Sequence, residues 1–298
     1  MRGAPALPTL LATLLATLLA ALLVAGCASV PTAPPAALAA GPFYTQYVGA
    51  RGIPILASAR VPDEALLAAR DMVRGMFAHR PDLARWLAVN DYRIAIFAED
   101  EALLDLPENA QWEKPARDDP RLTRCERKHY EARIGRMSVR EYWDNRARAI
   151  GGKRMADAAE DVLGLASSRY YGETIFVHEL AHLALDAIEA VDSALYARVE
   201  AGYANALATG LWRDEYTSTT VQEYWAEGTQ FWFNSNRLQV FDGRRILNHT
   251  DLAAYDPLLY AALGEAYGDR HRLTSDPFWM SPARVPPGLV PENTAEVC

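Results

Sequence analysis

The sequence predicts an α+β fold with strands early and helices late. Two short apolar runs around a glycine-containing turn, a compact YRIAIF run at Tyr92 to Phe97, and apolar residues at helical spacing through most of the remainder carry that expectation. The composition supports a sizeable core: 50% of the 298 residues are hydrophobic and 23% charged, which excludes a disordered or collagenous chain. Thirty basic against 38 acidic residues give a net charge of −8 with no long block of one sign, so no nucleic acid partner is expected. Three cysteines exclude a disulfide-dense scaffold and a four-cysteine zinc ribbon.

Phe43 to Val48 and Ile53 to Ala57 flank Gly49, Ala50, Arg51 and Gly52, the pattern of a hairpin. Pro54 lacks a backbone N–H, which predicts that the second arm lies at a sheet edge. Leu66, Leu67, Ala69, Met72, Val73, Met76 and Phe77 then recur at helical spacing until Pro81 ends the helix. YRIAIF reads as a strand, and the polar, proline-punctuated stretch from Glu99 to Arg124 reads as solvated surface. Helical segments follow to the end, with Gly151 and Gly152 as one break and no internal repeat. The folded part, 43–298, is thus expected as an N-terminal α/β part, 43–150, and a helical part, 151–298.

Ahead of it, Arg2, an apolar run from Leu10 to Val24 and small residues after it have the layout of a secretory signal over 1–26, and the run is too short to favour a spanning helix. Val24, Ala25, Gly26 and Cys27 resemble the lipobox of bacterial lipoproteins, with valine where leucine is commoner. That resemblance implies a membrane partner through lipid on Cys27, which becomes the new N-terminus. Ala28 in place of an aspartate implies the outer membrane of the bacterial envelope, facing the periplasm. Residues 27–42, rich in alanine and proline, read as the lipidated cysteine and a tether. In an oxidising compartment Cys125 and Cys298 are a candidate disulfide that would fasten the proline-rich C-terminal tail to the body.

The chemistry concentrates in Glu173 to Ala190, ETIFVHELAHLALDAIEA. Ile175, Phe176, Val177, Leu180, Leu183, Leu185 and Ile188 are apolar almost all round, which predicts a helix buried on most sides. His178 and His182 stand four positions apart, so their imidazoles leave one face about 5 to 6 Å apart at Cβ and can grip one ion. Glu179 lies beside them, where a carboxylate can take a proton from water held by that ion. Uncompensated burial of such groups is costly, so a bound cation is a natural partner; the competing reading is a core helix whose histidines hydrogen-bond locally.

A third ligand has several candidates. Glu189 and Glu200 both read as solvent-facing. Leu185 and Ile188 stand where a metzincin would have glycine and histidine, which excludes that class. Tyr216 to Phe233, YTSTTVQEYWAEGTQFWF, is better: Ser218, Thr219 and Thr220 are cap candidates, and Glu223 and Glu227 lie a helical turn apart among Tyr224, Trp225, Phe231, Trp232 and Phe233. Thr220 and Glu223 also fit a capping box, in which the glutamate only reaches back to the helix start, and Glu227 also reads as a surface charge.

HELAH followed by EYWAE resembles the gluzincin metallopeptidases related to the catalytic domain of anthrax lethal factor, whose pattern is HExxH and then a glutamate, two aromatics, alanine and glutamate. The resemblance implies a zincin-like fold, with a small mixed sheet, a buried HExxH helix and a helical C-terminal part. It implies Zn2+ held by His178, His182 and Glu223, with Glu227 supporting a ligand histidine from behind, a role Asp186 could also take. Tyr216 stands seven residues before Glu223, where the family has a tyrosine that donates to the carbonyl oxygen. The implied activity is hydrolysis of protein or peptide substrates, with Glu179 as general base. The match spans Glu173 to Phe233 only, so the lethal factor's substrates do not transfer. The competing expectation is a catalytically silent envelope lipoprotein that uses the same site for structure or binding.

Overall fold

A computed structural model of the chain describes residues 30–290 apart from residues 121, 123 and 242; the predicted signal, Cys27 and Cys298 lie outside the described residues. The hairpin forms as β1 (Gln46–Ala50) and β2 (Ile53–Ala57), with Ala50 opposite Ile53 and only Arg51 and Gly52 between them. Both turn residues have positive φ, 52° and 90°, the two-residue geometry whose twist matches that of the strands. The turn packs against the next layer closely enough that a Cβ on Gly52 would lie 3.1 Å from that of Ala88.

Helices α1 (Asp63–Met76) and α2 (Pro81–Val89) lead to β3 (Arg93–Phe97), and β4 (Ala149–Ile150) and β5 (Arg154–Ala158) complete a five-stranded sheet in the order β1-β2-β3-β5-β4. The sheet is mixed: β2–β3 and β3–β5 are parallel, and the two outer pairs are antiparallel. Strand β2 therefore lies inside the sheet, contrary to the edge expected from Pro54. The proline pairs with Gly49 one residue before the first β2–β3 partner, Ile55, so its missing N–H falls outside the parallel ladder. Strand β5 lies beyond residue 150, so the expected helical part contributes a strand to the sheet.

Alternation sorts the strand residues between two cores. Ile53, Ile55, Ile94, Ile96 and Met155 face a large core with α1, α2 and α6 (Ile175–Val191). Leu56, Ala95, Phe97 and Ala156 face a smaller one with Tyr44, Leu103 and Leu106. The stretch expected as a tether also covers this second face. Thr32 N donates to the Tyr47 carbonyl at 3.0 Å along the outer edge of β1, and the Arg93 guanidinium donates to the Leu38 carbonyl at 2.7 Å. The packed chain thus begins before Phe43, because the open edge of β1 offers partners that composition cannot reveal.

The polar stretch after β3 is more than solvated surface. It buries Leu103 and Leu106, and Glu101 accepts from the Ala98 N–H and the Ser58 hydroxyl. Helices α3 (Arg124–Lys128) and α4 (Val139–Arg146) follow, the latter closed by a Ser138–Glu141 capping box. Cys125 is disulfide-bonded, as expected of a pairing cysteine; its candidate partner Cys298 lies outside the described residues.

After a short α5 (Ala159–Val162), α6 forms the centre of the helical layer. It packs on α2, α7 (Ser193–Thr209), α8 (Val221–Trp232), β4 and β5. A small hairpin of β6 (Gln239–Phe241) and β7 (Arg244–Ile246) precedes α9 (His249–Tyr255) and α10 (Pro257–Tyr267). Buried Asp256 ties this end together: it accepts from Trp212 Nε1 at 2.9 Å and the Tyr224 hydroxyl at 2.8 Å, and it caps α10 at the Leu259 N–H. Among the described residues no helix is long and apolar enough to cross a membrane.

Candidate metal centre

Helix α6 is buried on most sides, as its apolar residues predict, and its start is tied on three sides. The Thr174 N–H donates to the Ser235 carbonyl at 3.0 Å, its hydroxyl donates to Asp276, and its carbonyl accepts from Gln230 Nε2 at 3.2 Å. One turn further on, His178 and His182 project together, with ring centroids 4.9 Å apart. Helix α8 begins at Thr220, whose hydroxyl accepts from the Glu223 N–H at 3.1 Å. Only that half of the capping box forms. The Glu223 carboxylate crosses to α6 instead, 3.0 Å from His178 Nε2 and 3.7 Å from His182 Nε2.

His178, His182 and Glu223 thus bring three ligand atoms within 4.8 Å of one another, a group that could hold a metal ion. Donors about 2.0 to 2.2 Å from a tetrahedral ion sit roughly 3.3 Å apart. The two Glu223 distances, 3.0 and 3.7 Å, bracket that value. Two imidazole nitrogens and one carboxylate oxygen also form a donor set that suits zinc.

The electrostatics fit a site built for a cation. Burial alone would push Glu223 up, but its bond to His178 and the charges of both histidines hold it below the usual carboxylate range. Burial likewise opposes charge on His178, yet the bond to Glu223 and the Glu179 and Glu227 carboxylates outweigh it and raise His178 to about 10. Burial and the neighbouring His178 charge push His182 down to about 4. The three groups therefore gather one compensating positive charge among them, a place a divalent ion can take over.

Glu179 is buried beside the group, with its Oε2 4.0 Å from His182 Nε2. Burial lifts it to about 7, opposed by the His178 charge and by a hydrogen bond from the Gly151 backbone. Gly151 is more than the break its sequence suggests: a Cβ there would lie 2.9 Å from His182 Cδ2 and 3.0 Å from Glu179 Oε2. Edge strand β4 passes so close to α6 that only glycine fits this place. Tyr216 begins a 3-10 turn, Tyr216–Ser218, before α8. Its ring lies 6.4 Å from that of His178, and its hydroxyl bonds to Glu223. Burial and Glu223 hold the phenol protonated, so it remains a donor, and 44% exposure leaves it open to the cleft.

Glu227 lies where support for His178 was expected, with Oε1 3.5 Å from Nδ1, while Asn236 and Gln239 donate to its other oxygen at 2.7 and 2.8 Å. The sequence reading missed a nearer partner. Gln230 Oε1 is 3.1 Å from the same Nδ1, and donation from Gln230 Nε2 to Thr174 fixes which way the amide faces. The Nδ1 proton therefore points at Gln230, and Nε2 faces Glu223. Glu223, Glu227 and Gln230 are spaced i, i+4, i+7, a polar stripe on an aromatic helix that could have revealed Gln230. Asp186 instead accepts from the Tyr92 hydroxyl at 3.0 Å, and Glu189 and Glu200 are exposed as expected. A cavity of about 630 Å³ opens beside the group, and Ile134, Tyr142, Tyr170 and Ile175 line it together with Glu179 and Tyr216.

No protein-family model and no curated protein sequence matches the chain. The described residues define a mixed α+β protein whose His/His/Glu group is compatible with an HExxH-type metal site.

Proposed function

We propose that the chain is a zinc metallopeptidase of the gluzincin type, zincin-like in fold, that hydrolyses peptide bonds of protein or peptide substrates in the bacterial envelope. In this reading lipid on Cys27 holds it to the outer membrane, facing the periplasm. The observation that carries the reading is the convergence of Glu223 on both histidines, with Glu179 and Tyr216 at the same opening.

His178, His182 and Glu223 would hold the ion, and Gln230 and Glu227 would keep the His178 ring turned toward it. Zinc bound there would supply Lewis acidity, polarising the scissile carbonyl and acidifying a water. Glu179, buried beside the group, would take a proton from water held there and hand it to the departing nitrogen. The Gly151 N–H steadies the Glu179 carboxylate during that exchange. Tyr216 leaves Glu223 and donates to the charge that develops on the carbonyl oxygen. A purely structural metal site has no use for a base and a donor in these places, which favours an enzyme over a silent lipoprotein.

The test is cleavage of a diverse peptide library by wild type and Glu179→Gln, with elemental analysis of both. The expected result is about one zinc per chain in each and cleavage by wild type alone. Equal cleavage by the zinc-loaded variant would overturn the assignment.

A further inference from the structure

We propose that the surface around the β1–β2 turn is a membrane-contact face that rests on anionic phospholipid headgroups. The inference depends on the lipid-anchor reading of Cys27 and adds to it which face of the protein meets the bilayer.

The path of the chain supplies the first argument. Thr32 pairs antiparallel with Tyr47, so the chain enters this pairing, through Val30 and Pro31, from the side of the Ala50 end of β1 and its turn. Cys27 is five residues from Thr32. At no more than about 3.6 Å per residue, that segment spans at most ~18 Å. A lipid on Cys27 therefore holds this corner of the protein close to the bilayer surface.

The chemistry of the corner supplies the second. Val30 and Val89 are 67% and 80% exposed. Arg51, Arg74 and Arg85 are exposed as well. The Arg51 Nε donates to the Arg74 carbonyl at 2.9 Å and Gly52 approaches Ala88, so the turn and the ends of α1 and α2 form one surface. Arg85 and Val89 stand one turn apart on the same face of α2. Three aspartates on or beside these helices are paired with other arginines: Asp91 with Arg93 and Arg154, Asp82 with Arg80, and Asp71 with Arg70. A protein of net charge −8 thus presents arginines and exposed valines at the corner nearest its anchor. That combination suits anionic headgroups, within whose field the arginines fall and among which the valines can insert.

The full lipidated protein is reconstituted into vesicles of phosphatidylethanolamine with phosphatidylglycerol, or of phosphatidylcholine alone. A benzophenone-bearing residue replaces Val89 or, as a control at the far end of α7, Leu207. Sedimentation reports anchoring, and mass analysis of the irradiated protein reports lipid adducts. The expected result is at least a five-fold excess of adduct at position 89 in phosphatidylglycerol vesicles. Arg51→Glu, Arg74→Glu and Arg85→Glu together should remove that excess while the protein still sediments and melts as wild type. Sedimentation with equal adducts at both positions, or with none at 89, overturns the face alone. Equal adduct at 89 in the two lipids overturns its preference for anionic headgroups. Wild type that stays in the supernatant overturns the anchor and the face with it.

Discussion

Glu223 and the Asp157–Asp161 pair are enclosed carboxyl groups that burial pushes the same way, up, yet only the Asp157–Asp161 pair ends above its usual range. At Glu223 the two histidines outweigh burial and keep the carboxylate charged. Asp157, on the β5 side of α6, is fully buried, and burial together with the Asp161 and Glu179 charges raises it well above its usual range. Asp161 is pushed up to about 6, chiefly by burial, although the Ser168 hydroxyl donates to it. One region compensates charge with imidazoles and the other by keeping protons. The two regions thus differ in what balances a buried carboxyl group: imidazoles at Glu223, where an ion could be held, and at Asp157 a raised pKa, so that it loads negative field onto Glu179 only when it ionises.

The sharpest way to break this comparison is at the ligands. His178→Ala, His182→Ala and Glu223→Gln should each abolish stoichiometric metal by elemental analysis. A lost helix cap alone would cost only about 0.5 to 2 kcal/mol and leave metal bound, so retained zinc in Glu223→Gln would return that residue to a capping role. Next in size, Tyr216→Phe should keep its zinc and lose on the order of 100- to 1,000-fold in turnover, the loss typical of a single oxyanion donor. Turnover within a few-fold of wild type would reduce Tyr216 to packing.

Smaller effects test the supports. Gln230→Ala should weaken metal affinity by about 10- to 100-fold in a chelator competition, the usual effect of removing a ligand's orienting partner. Affinity unchanged there but lowered by Glu227→Gln would reverse their order. The smallest effect belongs to the proton-keeping pair. A carboxyl group near 6 in the fold and about 3.9 when unfolded binds more protons in the native state between those values. Its contribution to stability is therefore present below about pH 4 and is lost as pH rises through about 6. Asp161→Asn should accordingly be more stable than wild type to denaturant at pH 8, by about 1 to 3 kcal/mol, and the difference should vanish near pH 4. A difference constant across pH would remove the titration from the explanation.

The ligand helices were legible because their signals are local. HELAH and EYWAE sit on runs with a clear helical period, and Thr220 marks the start of α8 as its residue type predicts. Strand β5 was not legible: RMADA carries two alanines and a buried aspartate, residues depleted in strands, and its identity comes from the ladder with β3. Strand β4 is two residues long and has no periodicity to read. The docking of Thr32 and the need for glycine at 151 are likewise tertiary facts, set by an open strand edge and by a close approach to α6.

The knot at the start of α6 has a practical consequence. Thr174 joins Ser235 beyond the end of α8, Gln230 within it and Asp276 on the C-terminal segment, and none of these bonds involves a ligand atom. The helices that bear His178, His182 and Glu223 are therefore braced to each other independently of any ion. Such a socket can be emptied and refilled without refolding, so exchange of its contents would be governed by access through the cleft and by ligand protonation rather than by the stability of the fold.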